Sequence, residues 1–141
     1  WVGTPHGLMH VVDRAVVPVP PSLQTPVGLA IVSLSPARAG GFWLAAYDEC
    51  GREPGVLWHV QPNTGSVTDY SARGFGEHHF KSVRELPSGD LLVSTLATPM
   101  TWDAPVTASG CKPLEGAFTT ADTYLLDPVA PTAQARRLGV R

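Results

Sequence analysis

The sequence predicts an all-β protein: about two and a half four-stranded antiparallel blades of an incomplete β-propeller. Three observations carry this reading. First, an apolar segment that ends in Asp or Pro and a turn occurs three times. The copies are Leu8-Met9-His10-Val11-Val12-Asp13, Leu57-Trp58-His59-Val60-Gln61-Pro62 and Thr123-Tyr124-Leu125-Leu126-Asp127-Pro128. Second, another paired unit lies upstream of the last two copies, residues 27–35 with 41–48 and residues 80–87 with 89–96. The offset between units is about fifty residues, the size of one blade. Third, 14 Gly and 14 Pro combine with a charged fraction of 16%. That composition favours short strands joined by turns. No stretch shows sustained helical periodicity with caps.

The strands of a blade are named a to d from the central channel outward. Residues 1–20 form a half-blade, with strand c at 7–13 and strand d at 14–20. Pro18, Pro20, Pro21 and Pro26 then bracket a crossover, because proline cannot continue a central ladder. The first full blade spans 27–72. Its strand a, 27–35, is rich in Val, Ile and Leu, as a strand covered on both faces should be. Gly40-Gly41 turns the chain into strand b, 42–48. Strand c is 56–61. Pro62-Asn63-Thr64-Gly65 is a turn in which Pro sets φ while Asn and Gly accept positive φ. Strand d, 66–72, is polar and alternating, which suits an outer strand.

The second full blade spans 80–140. Strand a is 80–86, Pro87-Ser88-Gly89-Asp90 is the turn, and strand b is 91–96. A long insertion, 97–121, precedes strand c at 123–126. Strand d is 133–140 and carries Arg136 and Arg137. A loop this long is unusual in a compact domain and is usually functional or mobile. It contains Trp102, Cys111 and Phe118.

Composition excludes several function classes. At 141 residues with 43% hydrophobic residues, one domain with a real core is expected. A net charge of −2 and two lysines, Lys81 and Lys112, give no electrostatic case for nucleic acid. No apolar run reaches the eighteen or so residues of a membrane helix, so no membrane insertion is expected. No nucleophile elbow, P-loop, dinucleotide fingerprint, His-Glu-x-x-His or paired Cys-x-x-Cys motif occurs.

In an up-and-down blade the b–c loops and d–a connectors emerge on one face. That face gathers residues 49–53, residues 74–79 and the insertion, and loops on a rigid scaffold are the usual place for function. His78-His79 has two readings there. One is a general base or ligand at the channel mouth. The other is a pair of surface or capping histidines, since adjacent strand residues point to opposite faces. His10 and His59 occupy the same position in successive strand c copies, which favours a repeated packing role. Trp43 and Trp58 lie in inner strands and are expected in the core. Cys50 and Cys111 sit in b–c connections of successive blades, on one rim. A disulfide between them is the expectation, with two unpaired thiols as the alternative.

The stretch Thr25-Pro26-Val27-Gly28-Leu29-Ala30, Gly40-Gly41-Phe42-Trp43-Leu44-Ala45-Ala46 and Gly55-Val56-Leu57-Trp58-His59-Val60 continues into Gly65-Ser66-Val67-Thr68-Asp69-Tyr70, Gly74-Phe75 and Leu86-Pro87-Ser88-Gly89-Asp90-Leu91-Leu92-Val93-Ser94. Over residues 18–96 these motifs resemble the closing blades of the soluble glucose and sorbosone dehydrogenase family. The resemblance implies a six-bladed propeller and, for many members, the quinone cofactor PQQ with calcium. Members with bound PQQ hold its carboxylates with basic residues from one face. By that resemblance the residues here are Arg52, His78 and His79. The family's catalytic-base histidine belongs to an earlier blade, so no catalytic residue is assigned and no metal ligand is nominated.

Two functions follow as expectations. One is a binding or structural module within a larger extracellular or periplasmic assembly, with carbohydrate as a candidate ligand and no cofactor of its own. The other is one chain of a PQQ-dependent aldose or sorbosone dehydrogenase. Both need further blades from the same or another chain. Two open faces, exposing apolar strands at 27–34 and 91–96, are expected to leave several kcal/mol of burial unrealised, at roughly 25 cal/mol per Å².

Overall fold

The computed structural model describes residues 1–48, 54–75, 79–96 and 120–139. They form three antiparallel sheets in chain order. Sheet I holds β1 (Val2–Thr4), β2 (Gly7–Val12) and β3 (Ala15–Val17). Sheet II holds β4 (Leu29–Pro36), β5 (Phe42–Asp48), β6 (Val56–Gln61) and β7 (Ser66–Asp69). Sheet III holds β8 (Phe80–Glu85), β9 (Leu91–Leu96), β10 (Thr120–Leu126) and β11 (Arg136–Arg137). Each is a meander in which sequence neighbours pair. The all-β class holds, and no helix among the described residues is long and apolar enough to cross a membrane.

Register makes the repeat concrete. Trp43 pairs with His59 and Leu44 with Trp58, while Val2 pairs with Met9 and Gly3 with Leu8. β1 and β2 are therefore the counterparts of β5 and β6, with Trp1 standing for Trp43 and His10 for His59. β4 and β8 are counterparts too. Each carries a one-residue bulge, between Ile31 and Ser33 in one and between Phe80 and Ser82 in the other. Ser35 pairs with Trp43 as Arg84 pairs with Leu92. The hairpin turns match bond for bond. Ala37 N donates to Gly41 O (3.2 Å) and Gly40 N to Ala37 O (3.1 Å); Leu86 N donates to Asp90 O and Gly89 N to Leu86 O (both 2.8 Å). Gly40 and Gly89 take φ of 93° and 91°, a conformation that residues with a Cβ rarely adopt.

The sheets stack face to face in the same sense. β8 packs against β4, β5 and β6, and β4 packs against β1 and β2. Between sheets II and III, Trp43, Ala45 and Leu57 meet Phe80, Val83, Leu91, Val93, Tyr124 and Leu126, with Phe75 wedged beside them. Between sheets I and II, Leu8 meets Leu29, Ile31, Phe42, Leu44 and Val60, and Leu23 of the 3-10 turn Pro21–Leu23 is fully buried beneath them. Gly3 lets the two sheets approach: a Cβ there would lie 2.5 Å from Ile31 Cγ2.

The structure corrects several expected boundaries. Sheet I has a third strand, β1, ahead of the two expected. β3 stops at Val17, where Pro18 and Pro20 end the ladder. β4 starts at Leu29 because Gly28 turns at φ 92° and Val27 is fully exposed. β7 ends at Asp69, whose carboxylate accepts the Ser71 amide (2.8 Å) and turns the chain. β10 begins at Thr120, inside the expected insertion. The outer strand of sheet III shrinks to Arg136–Arg137, since the Ala135 amide is drawn to Arg73 O (2.6 Å) instead. Of the expected open apolar strand at 27–34, Leu29, Ala30 and Ile31 are buried because β4 is packed against both neighbouring sheets, while Val27 and Val32 stay exposed. In β9, Leu91 and Val93 are buried against sheet II, leaving Leu92 and Ser94 on the other face.

Candidate functional site

Polar groups gather at the two opposite ends of the sheets. One end carries the β1–β2 turn, the β3–β4 connector and the residues flanking the β5–β6 connection. Two clefts open there. One, about 530 Å³, runs between Pro26, Val27 and Leu29 on one side and Pro54, Gly55, Asp69 and Ser71 on the other. The second, about 460 Å³, lies between Pro5-His6-Gly7 and Gln24-Thr25. Asp48 closes β5, His79 precedes β8 and Thr95 pairs with Phe80; all three are buried polar residues. Buried polar side chains are more informative than exposed ones, because each must be satisfied. Thr95 Oγ1 donates to Asp122 O (3.4 Å), and the Asp122 carboxylate pairs with Arg137 Nε at 2.7 Å.

This is the end that sequence reasoning selected, although most of its nominated residues are not described. Cys50, Arg52, His78 and Cys111 lie outside the described residues. His79 is 8% exposed, and its carbonyl accepts the Leu96 amide at 2.6 Å. No group of three His, Cys, Asp or Glu side chains among the described residues is arranged to hold a metal.

The opposite end carries the better defined constellation. Glu85, at the end of β8, reaches across to the β4–β5 turn. Its Oε2 accepts both the indole Nε1–H of Trp43 (2.9 Å) and the Arg38 amide (3.1 Å). The Trp43 hydrogen bond, chiefly, holds the Glu85 carboxyl below the usual carboxylate range. Partial burial opposes this, and Arg38 and His59 add favourable charge. His59 packs on Trp43 with ring centroids 4.7 Å apart, and its Nε2 donates to Gly40 O at 2.9 Å. A groove of about 560 Å³ opens beside it, between Ser33, Ser35 and Pro36 of β4 and Ser82, Arg84 and Glu85 of β8.

The repeated packing role of the two histidines is met. His10 stacks on Trp1 with centroids 3.9 Å apart and planes 1° apart, the counterpart of the His59–Trp43 contact. Trp43 is buried in the core as expected, whereas Trp58 is only half-buried at the edge of the cluster between sheets I and II. The Glu85 tie escaped sequence reasoning. Its partners lie more than forty positions upstream, and no local pattern marks a glutamate after a strand as a cross-sheet acceptor.

Comparison with protein-family models, with curated proteins and with solved structures returns no match.

Proposed function

We propose that the chain is a run of consecutive blades of a β-propeller of the sugar-dehydrogenase-like kind. In this reading it serves as a structural and binding module in a larger extracellular assembly. One observation carries it: equivalent positions are buried in sheet II and exposed in sheet I. Leu44 and Val60, covered by sheet I, are 0% exposed, whereas their counterparts Val2 and Val11 are 45% and 40% exposed. Val16, paired with Val11, is 64% exposed, while its counterpart Val67 is packed against the core. Val2, Met9, Val11 and Val16 share one face by register. An apolar face of this kind marks an interface, and the internal repeat says what covers it: the outward face of another such sheet.

Quinone-dependent sugar oxidation, the other function implied by the family resemblance, gains no comparable support. His79 is the described member of the three residues offered for PQQ, and it is buried rather than presented to a ligand. Light scattering on the purified chain tests the structural reading. Self-association is expected, and Val11→Glu with Val16→Glu should abolish it while leaving the circular dichroism spectrum intact. A monomeric, cooperatively unfolding parent chain would refute the reading.

A further inference from the structure

We infer that the free edge of β1 is a strand-addition site, taking an antiparallel extended segment as a fourth strand of sheet I. This rests on the blade reading and adds the chemistry of a strand that would extend sheet I. β5 is hydrogen-bonded to β4 on one side and β6 on the other, and β9 likewise lies between β8 and β10. Their counterpart β1 has β2 on one side and, among the described residues, no strand on the other. An open strand edge presents unpaired N–H and C=O groups, and main-chain pairing with an added strand satisfies them.

The repeat specifies the occupant. β5 meets β4 through Ala46 with Ile31, Ala45 with Ser33, Leu44 with Leu34 and Trp43 with Ser35, with a bulge after Ile31. The counterparts in β1 are Thr4, Gly3, Val2 and Trp1. The added strand therefore places a large apolar residue beside Thr4, a bulge residue, a small residue beside Gly3 and a second apolar residue beside Val2. The small residue should be Ser or Thr. Ser33 Oγ accepts the Val83 amide of the next sheet at 3.3 Å, and Leu34 is the counterpart of Val83. A hydroxyl on the added strand would accept the Leu34 amide in the same way. The occupant is thus a β4-like strand.

The test joins a second copy of residues 26–42 ahead of Trp1 in the full chain, so that its Phe precedes Trp1 as Phe42 precedes Trp43. The expected result is an unfolding midpoint higher by about 5 °C, on the order of 1–2 kcal/mol for a chain of this size. Amide exchange in β1 should slow at least tenfold. A matched tail with Ile31→Pro and Leu34→Asp should do neither. A free peptide of residues 26–42 forms the second arm: β1 protection by the peptide points to a separate chain, and protection by the tail alone points to a covalent neighbour. Unchanged β1 exchange in both arms overturns the inference. The self-association of the parent chain, and its loss in the variant carrying Val11→Glu with Val16→Glu, are read separately, so failure of the edge site leaves the face reading intact.

Discussion

The two sheet–sheet interfaces use the same repeat positions yet are held differently. Between sheets I and II the contact is aromatic and aliphatic: Trp1 lies on His10 and is tilted against Phe42 at 5.8 Å, Leu8 and Leu23 share one buried cluster with β4 and β5, and Ile31 lies against Gly3. Between sheets II and III the core is joined by directional bonds. Glu85 binds Trp43 and Arg38, Val83 N meets Ser33 Oγ, Tyr70 OH donates to Pro128 O, and Arg73 donates to Ala130 O. The contrast traces to one pair of counterparts. Where sheet III offers Glu85 to Trp43, sheet II offers Pro36, which has no side-chain acceptor for Trp1. Burial sets how tightly sheets stack, and a single polar residue at the strand end decides whether the stack is also oriented.

Core truncation should show the largest effect. Phe75 is 1% exposed and makes edge-on contacts with Phe80 (5.3 Å) and Tyr124 (5.4 Å). Phe75→Ala should cost about 3–5 kcal/mol in denaturant unfolding. A loss below about 1 kcal/mol would mean that sheets II and III do not share this core in solution.

Gly3→Ala probes the other interface. The new Cβ would crowd Ile31, and overpacking of this kind costs roughly 1–3 kcal/mol. Pairing it with Ile31→Ala should recover part of the loss, since the clash is removed. Strict additivity in that cycle would show that Gly3 and Ile31 do not touch.

The smallest expected effect is electrostatic. Glu85→Gln keeps an acceptor for Trp43 but removes the charge, and the site is partly solvated, so about 0.5–1 kcal/mol is expected at neutral pH. The folded carboxyl titrates below its ordinary value of 4.5. Its stabilisation is therefore complete above the unfolded value and is lost as pH falls through the folded value. The parent and variant curves should converge in acid. Parallel curves from pH 7 down to pH 2 would show that Glu85 is not stabilised by its ionisation.

Much of the fold was legible because strand b and strand c are strongly apolar and bounded by turn residues. Residues 42–48, 56–61 and 91–96 were expected as strands, and the structure has them at the same bounds. β1 was not legible: Trp1-Val2-Gly3-Thr4 is short, and its central Gly weakens a strand when read alone. That glycine makes sense once Ile31 is seen against it. The outer strands were overestimated because Asp69 and Arg73 redirect the backbone through bonds that sequence pattern does not encode. Of the residues nominated for the candidate site, His79 alone lies among the described residues, and its burial was not read from the sequence, where surface or capping histidines were one expectation. The Glu85 tie depends on two sheets being stacked, which periodicity within one strand cannot report.

The meander order of all three sheets has a kinetic consequence. Each ladder pairs sequence neighbours, so most loops that must close within a sheet are short and the ordering cost comes early and locally. Stacking then follows as a separate step, as in repeat proteins whose stability is a sum of unit and nearest-neighbour terms. Sheets II and III, which share the Glu85, Tyr70 and Arg73 bonds, should behave as one cooperative unit, with sheet I opening first. Native-state amide exchange would then show two free-energy levels along the chain, with the step falling at the proline-rich connector between β3 and β4.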